Sequence, residues 1–106
     1  MPSVHTRING AQHHEGAQTK LNTLRRDTRI DLVREPDNNV DPNAIKCVAD
    51  GVLLGYVRAK DAKYPAAAMD RGEAVTCRIY PNQPMIQIQW PSVVGADPHL
   101  RRIVRG

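Results

Sequence analysis

Residues 73–90 read Glu-Ala-Val-Thr-Cys-Arg-Ile-Tyr-Pro-Asn-Gln-Pro-Met-Ile-Gln-Ile-Gln-Trp. Val75, Cys77 and Ile79 fall on one side of a period-two pattern. After a turn at Pro81-Asn82-Gln83-Pro84, Ile86, Ile88 and Trp90 do the same against Gln87 and Gln89. Successive side chains of an extended strand point to opposite faces, so this alternation predicts two half-buried strands joined as a hairpin. Working outward, Arg29-Ile30-Asp31-Leu32 alternates in the same way, and residues 44–48 and 52–57 read as two further strands. Between those two, Asp50-Gly51 is a two-residue hairpin turn, because glycine accepts the positive φ such a turn needs. Residues 4–8 predict an opening strand. Residues 20–25 fit either a short strand or one helical turn.

One stretch is helical in composition. Residues 58–71 hold Ala59, Ala62, Ala66, Ala67, Ala68 and Met69 and stop before Gly72, a residue favoured just past a helix end. Pro65 is expected to break this helix and open a second segment, since proline lacks the amide proton and clashes one turn back. About six strands with one or two short helices predict a mainly β fold, a small antiparallel barrel or sandwich. The expected division is a barrel domain over residues 1–92 and a basic tail over 93–106, with a short helix starting near Asp97-Pro98.

The chain has 106 residues, one domain's worth. With 41% hydrophobic and 25% charged residues it has the makings of a packed core, which excludes wholesale disorder. Its longest apolar runs fall far short of the ~18 residues of a membrane helix. The first residues lack a signal peptide's apolar stretch, so a cytoplasmic location is expected. Cys47 and Cys77 are too few for a disulfide framework and are expected to be buried thiols. The net charge of +4, from 15 basic and 11 acidic side chains, favours a polyanionic partner. Only one Trp and three Tyr are present, with no Phe, so extensive base stacking is not expected.

Residues 34–46, Arg-Glu-Pro-Asp-Asn-Asn-Val-Asp-Pro-Asn-Ala-Ile-Lys, form a long, chemically loaded connection between two strands. Pro36 and Pro42 fix φ and push the residues before them towards extended backbone. Asn38 and Asn39 tolerate left-handed geometry and can bond their own backbone. The result is a stiff loop presenting Asp41. Its carboxylate either caps the amide of Asn43 or Ala44, or accepts from a ligand hydroxyl; the local sequence fits both.

This loop, followed by a hairpin, Gly55-Tyr56-Val57 and an alanine-rich helix, closely resembles the HIRAN domain over roughly residues 3–90. That family occurs at the N-terminus of eukaryotic fork-remodelling DNA translocases and in small bacterial and phage chains. The resemblance implies a modified OB-like barrel of six antiparallel strands with two helices, binding the 3′-hydroxyl end of single-stranded DNA. It also implies residue roles. Asp41 matches the aspartate that contacts the 3′-hydroxyl. Val40 stands where the family carries an aromatic against the terminal nucleotide, and an isopropyl group cannot stack as a ring does. Gly10-Ala11-Gln12-His13-His14-Glu15-Gly16 fits a second motif, with His13 and His14 in place of aromatic residues. Tyr56 matches a position that reaches a backbone phosphate; Arg58 and Lys60, at the start of the helix, are read from their placement as further phosphate contacts. The family's aromatic on the last hairpin has no match in residues 81–84.

Other chemistries fit less well. His13, His14, Glu15 and His5 lack the one-face spacing of a metal site. Asp37 and Asp41 lack the third acidic ligand and lysine of a nuclease. No nucleophilic triad or glycine-rich phosphate loop occurs, and no cofactor is implied. Arg101, Arg102 and Arg105 of the tail could add non-specific phosphate attraction. The expectation is a monomeric, non-enzymatic, DNA-associated module for single-stranded 3′ ends, with a replication or repair protein as a further partner. The alternative is a protein-docking module on the same barrel that has lost DNA.

Overall fold

The computed structural model describes residues 2–80 and 85–91. The expected turn at 81–84 and the expected tail helix near Asp97-Pro98 fall outside the described residues. Six strands appear: β1 Ser3–Asn9, β2 Arg29–Arg34, β3 Ile45–Ala49, β4 Val52–Val57, β5 Thr76–Tyr80 and β6 Met85–Gln89. They close into an antiparallel barrel in the order β1-β4-β3-β2-β5-β6. Two helices complete the described fold, α1 Ala17–Thr23 and α2 Ala59–Asp70, with a single 3-10 turn at Ala11–His13. The mainly β class and the antiparallel barrel are as the sequence patterns and the resemblance led us to expect.

The period-two reading carries over residue by residue. Cys77, Ile79, Ile86, Ile88 and Trp90 point into the barrel and join Ile30, Ile45, Cys47, Leu54 and Val57 in one core. Register fixes this, because Cys77 faces Ile88 and Ile79 faces Ile86 across the β5–β6 ladder. A slip of one residue would turn all of them to solvent. Burial pushes the Cys77 thiol up to about 12, and burial with the nearby Cys77 sulfur raises Cys47 as well. Asp50 and Gly51 both take positive φ, 50° and 80°, as the two-residue turn requires.

One local expectation is overturned and another is extended. Pro65 does not break α2, which runs unbroken through it. The proline gives up the bond its amide would have made to the Asp61 carbonyl, but its ring is fully buried in the core, which offsets that loss. The helix ends where Gly72, at φ 81°, donates to the Met69 carbonyl at 2.9 Å and Glu73 donates to Ala68 at 3.0 Å, a Schellman closure. Of the two readings of residues 20–25 the helical one holds, for residues 20–23, but α1 starts earlier, because Gly16 at φ 79° lets the chain enter it and Ala17 and Leu21 bury the same face. Asn38 bonds nearby backbone as expected, and neither Asn38 nor Asn39 uses the left-handed region it tolerates.

Strand β4 carries the irregularity that shapes the site. Its pairing with β3 moves from Cys47↔Gly55 to Val48↔Leu53, leaving Leu54 as an extra residue. This bulge lets Leu54, Gly55 and Val57 all be buried while Tyr56 turns outward. The barrel closes beside it, where Ile8 and Asn9 of β1 pair with Val57 and Tyr56. Thr6 fastens β1 to α2 by donating from its hydroxyl to Asp61 Oδ2 at 2.6 Å.

Candidate nucleic-acid interface

The loop between β2 and β3 folds around Asn38. Its Oδ1 accepts from the amides of Val40 and Asp41, both at 2.9 Å, and its Nδ2 donates to Glu35 Oε1 at 2.7 Å. The side chain thus does what a left-handed residue would otherwise do, which is why neither asparagine needs positive φ. Asp41 follows. Its Oδ1 accepts from the Asn43 amide at 2.8 Å, while the Ala44 amide donates to the Asp41 backbone carbonyl at 3.0 Å. The local turn therefore occupies one carboxylate oxygen. No donor among the described residues reaches the other.

Arg34, which the sequence reading passed over, holds the loop from below. Its guanidinium donates to the Ala44 carbonyl at 2.7 Å, to the Pro42 carbonyl at 2.9 Å and to both oxygens of Asp70 at the end of α2. The same guanidinium holds the Asp70 carboxyl below the usual carboxylate range. The only signal in the sequence was a basic residue closing a strand before a proline-bracketed loop. Arg34→Met is expected to lower the melting temperature by several degrees, since two backbone carbonyls lose charged donors at about 1.5–3 kcal/mol per such bond at most. A thermal melt followed by circular dichroism checks this; an unchanged midpoint would remove the clamp.

Glu35 is a second residue the sequence left unassigned. Asn38 Nδ2 and the Tyr56 hydroxyl both donate to its carboxylate, and Lys46 stands 3.8 Å away. These partners, Asn38 first, hold its carboxyl below the ordinary value against the opposing effect of burial. The Tyr56 phenol is correspondingly raised, by burial and then by the bond to Glu35. The His14 ring lies 6.1 Å from that of Tyr56, tilted by 47°.

Between this loop, the end of β1, the end of β4 and the start of α2 lies a cleft of about 290 Å³. Asn9, Asn38, Val40, Asp41, Ala44, Tyr56, Val57 and Ala59 line it. Of the six residues expected to contact DNA, Asp41 and Tyr56 line the cleft and His14 reaches it through Tyr56. Arg58 and Lys60 stand at the start of α2 next to the lining residue Ala59, Lys60 exposed. His13 is exposed, its nearest side-chain partner being Gln12 at 3.3 Å. Among the loop-shaping residues, Pro36 and Pro42 are exposed, Asn43 supplies the amide to Asp41, and Val40 stands 93% exposed at the rim. Asn9 is a lining residue that only the barrel closure brings there. Among the described residues, no three His, Cys, Asp or Glu side chains converge as metal ligands. Nor is any described helix long and apolar enough to cross a membrane.

The family model described as HIRAN domain matches residues 2–93. The chain is a HIRAN domain. HIRAN domains are, as a family, DNA-binding domains. The fold resembles the crystal structure of the HIRAN domain of human HLTF, with a TM-score of 0.68 and 20% identity over 83% of this chain and 74% of that one. It resembles equally a protein from Lactobacillus plantarum, with a TM-score of 0.68 and 22% identity over 82% and 91% of the two chains. No curated protein matches the chain.

Proposed function

We propose that this HIRAN domain is a monomeric, non-enzymatic module that captures the 3′-hydroxyl end of single-stranded DNA. The observation that carries the reading is the geometry of Asp41: Oδ1 is held by the Asn43 amide, no described donor reaches the other oxygen, and the residue lines a cleft of nucleotide-compatible size. A carboxylate fixed in this way accepts a hydrogen bond from a terminal hydroxyl without first paying the entropy of being ordered. The apolar walls, Ala44 and Val57, suit a sugar and a base edge. Tyr56 has committed its proton to Glu35, so a phosphate reaches its hydroxyl only by displacing that carboxylate. Backbone phosphates are better served by Arg58 and Lys60, where the start of α2 adds its unpaired amides and positive dipole end. His13 and His14 supply base contacts in place of aromatic rings. Sequence preference is therefore weak, and the setting is a cytoplasmic, DNA-associated one of replication or repair.

The test is equilibrium binding of short oligonucleotides identical except at the 3′ end. A 3′-hydroxyl strand is expected to bind about tenfold or more tightly than a 3′-phosphate strand, because the phosphate brings like charge against Asp41. Equal affinities would reject end recognition and leave general DNA binding in place. Val40, an isopropyl group bare at the cleft mouth, favours one other reading, docking of a protein's apolar side chain. Absence of salt-sensitive DNA binding would select it.

A further inference from the structure

The part of the barrel formed by β1, β6, β5 and β2 carries a second concentration of positive charge. Strands β1, β6, β5 and β2 are consecutive around the barrel, and their ladders align outward-facing residues into rows. One row runs His5↔Gln87, Gln87↔Arg78 and Arg78↔Arg29. The next runs Arg7↔Met85 and Met85↔Tyr80, with the Arg26 guanidinium 5.5 Å from the centre of the Tyr80 ring. All four arginines are exposed, and none makes an ion pair among the described residues. Arg29 and Arg78 stand directly opposite each other on neighbouring strands, an arrangement that destabilises a sheet unless an anion lies between them. Their only fixed protein contact is the bond from Arg78 Nη1 to the Asp27 carbonyl at 2.9 Å, to a neutral acceptor. Two exposed acidic side chains flank the face: Asp27, in the turn before β2, and Asp31, two residues past Arg29 on the same outward side of β2.

We infer that this face, built on Arg7, Arg26, Arg29 and Arg78, is a second nucleic-acid site that binds the phosphodiester backbone without needing an end. The face leads directly to the cleft, for Arg7 and the cleft residue Asn9 are alternate residues on the outward side of β1. Their separation of ~6.6–6.8 Å is comparable to the phosphate spacing of an extended single strand. Tyr80 is covered by Arg26, and its hydroxyl donates to Gln87 at 3.1 Å, so the face offers cations and amides rather than an open stacking ring. Such a surface reads phosphate, not sequence.

The probe is circular single-stranded DNA, which has no 3′ end for the cleft to hold. The wild-type chain is expected to bind it, with affinity falling steeply with salt. Arg7→Gln combined with Arg29→Gln removes two cations that make no side-chain hydrogen bond in the fold. It should weaken binding to the circle about 25-fold at 0.1 M salt and make the log–log salt slope shallower by about 1.4. The ratio of 3′-hydroxyl to 3′-phosphate affinity should be unchanged in this variant. Failure of the wild type to bind the circle would overturn the inference and leave end recognition standing. Binding of the circle with no preference among 3′ ends would do the reverse. An equal loss from Lys20→Gln with Lys63→Gln, two cations away from this face, would also overturn it, because net charge alone would then explain the binding.

Discussion

Gly55→Ala is expected to cost about 3–5 kcal/mol and to lower the melting temperature by roughly 15 °C or more. Gly55 holds φ at 144°, in a region that other residues rarely enter. A methyl group there would run into the backbone carbonyl of Asn9 and the side chain of Ile8. A backbone carbonyl held in a ladder cannot swing aside, so strand β1 would have to withdraw from β4 at the seam that closes the barrel. Gly72→Ala is the control. It also has positive φ, 81°, but its added methyl would meet no neighbour, and it should cost only ~1 kcal/mol. Cys47 and Cys77 report the difference without a label. Their raised thiols stay protonated and buried in the folded barrel, so a thiol reagent at mildly alkaline pH reads the opened fraction. Similar melting and labelling for the two glycine variants would contradict the account of the seam.

The second large effect is on binding. Asp41→Ala should weaken capture of a 3′-hydroxyl strand by about 10- to 150-fold, the 1.5–3 kcal/mol of a hydrogen bond to a charged acceptor. It also removes the cap on the Asn43 amide, so a modest loss of stability, ~1 kcal/mol, accompanies it. Asp41→Asn separates the two roles. Asparagine keeps an oxygen for the Asn43 amide and should leave the melting temperature nearly unchanged. It removes the negative charge, so the penalty against a 3′-phosphate should collapse. An Asp41→Asn protein with full discrimination between the two ends would show that this carboxylate does not read the terminus.

Much of the interface was legible in the loop itself. The Asn and Asp residues of 38–43 make short-range bonds, two or three residues long, and local chemistry is what a sequence displays. Arg34 and Glu35 were not legible, because their partners lie across the fold: Arg34 meets Asp70, 36 residues away, and Glu35 meets Tyr56, 21 residues away. Asn9 likewise enters the cleft only because β1 reaches β4 at its last two residues.

By itself the sequence determined which segments would be strands, which faces they would bury, where Asp50-Gly51 would turn and how the 34–46 loop would stiffen. Period-two alternation and turn chemistry act within a few residues and survive any choice of partner. The tertiary structure alone decided that Pro65 stays inside a helix, since core burial outweighed one backbone bond. It alone placed the bulge at Leu54 that turns Tyr56 outward, because only the register against β3 leaves that residue over. It alone set Arg29 across from Arg78, which lie 49 positions apart in the chain and become neighbours only when the barrel closes.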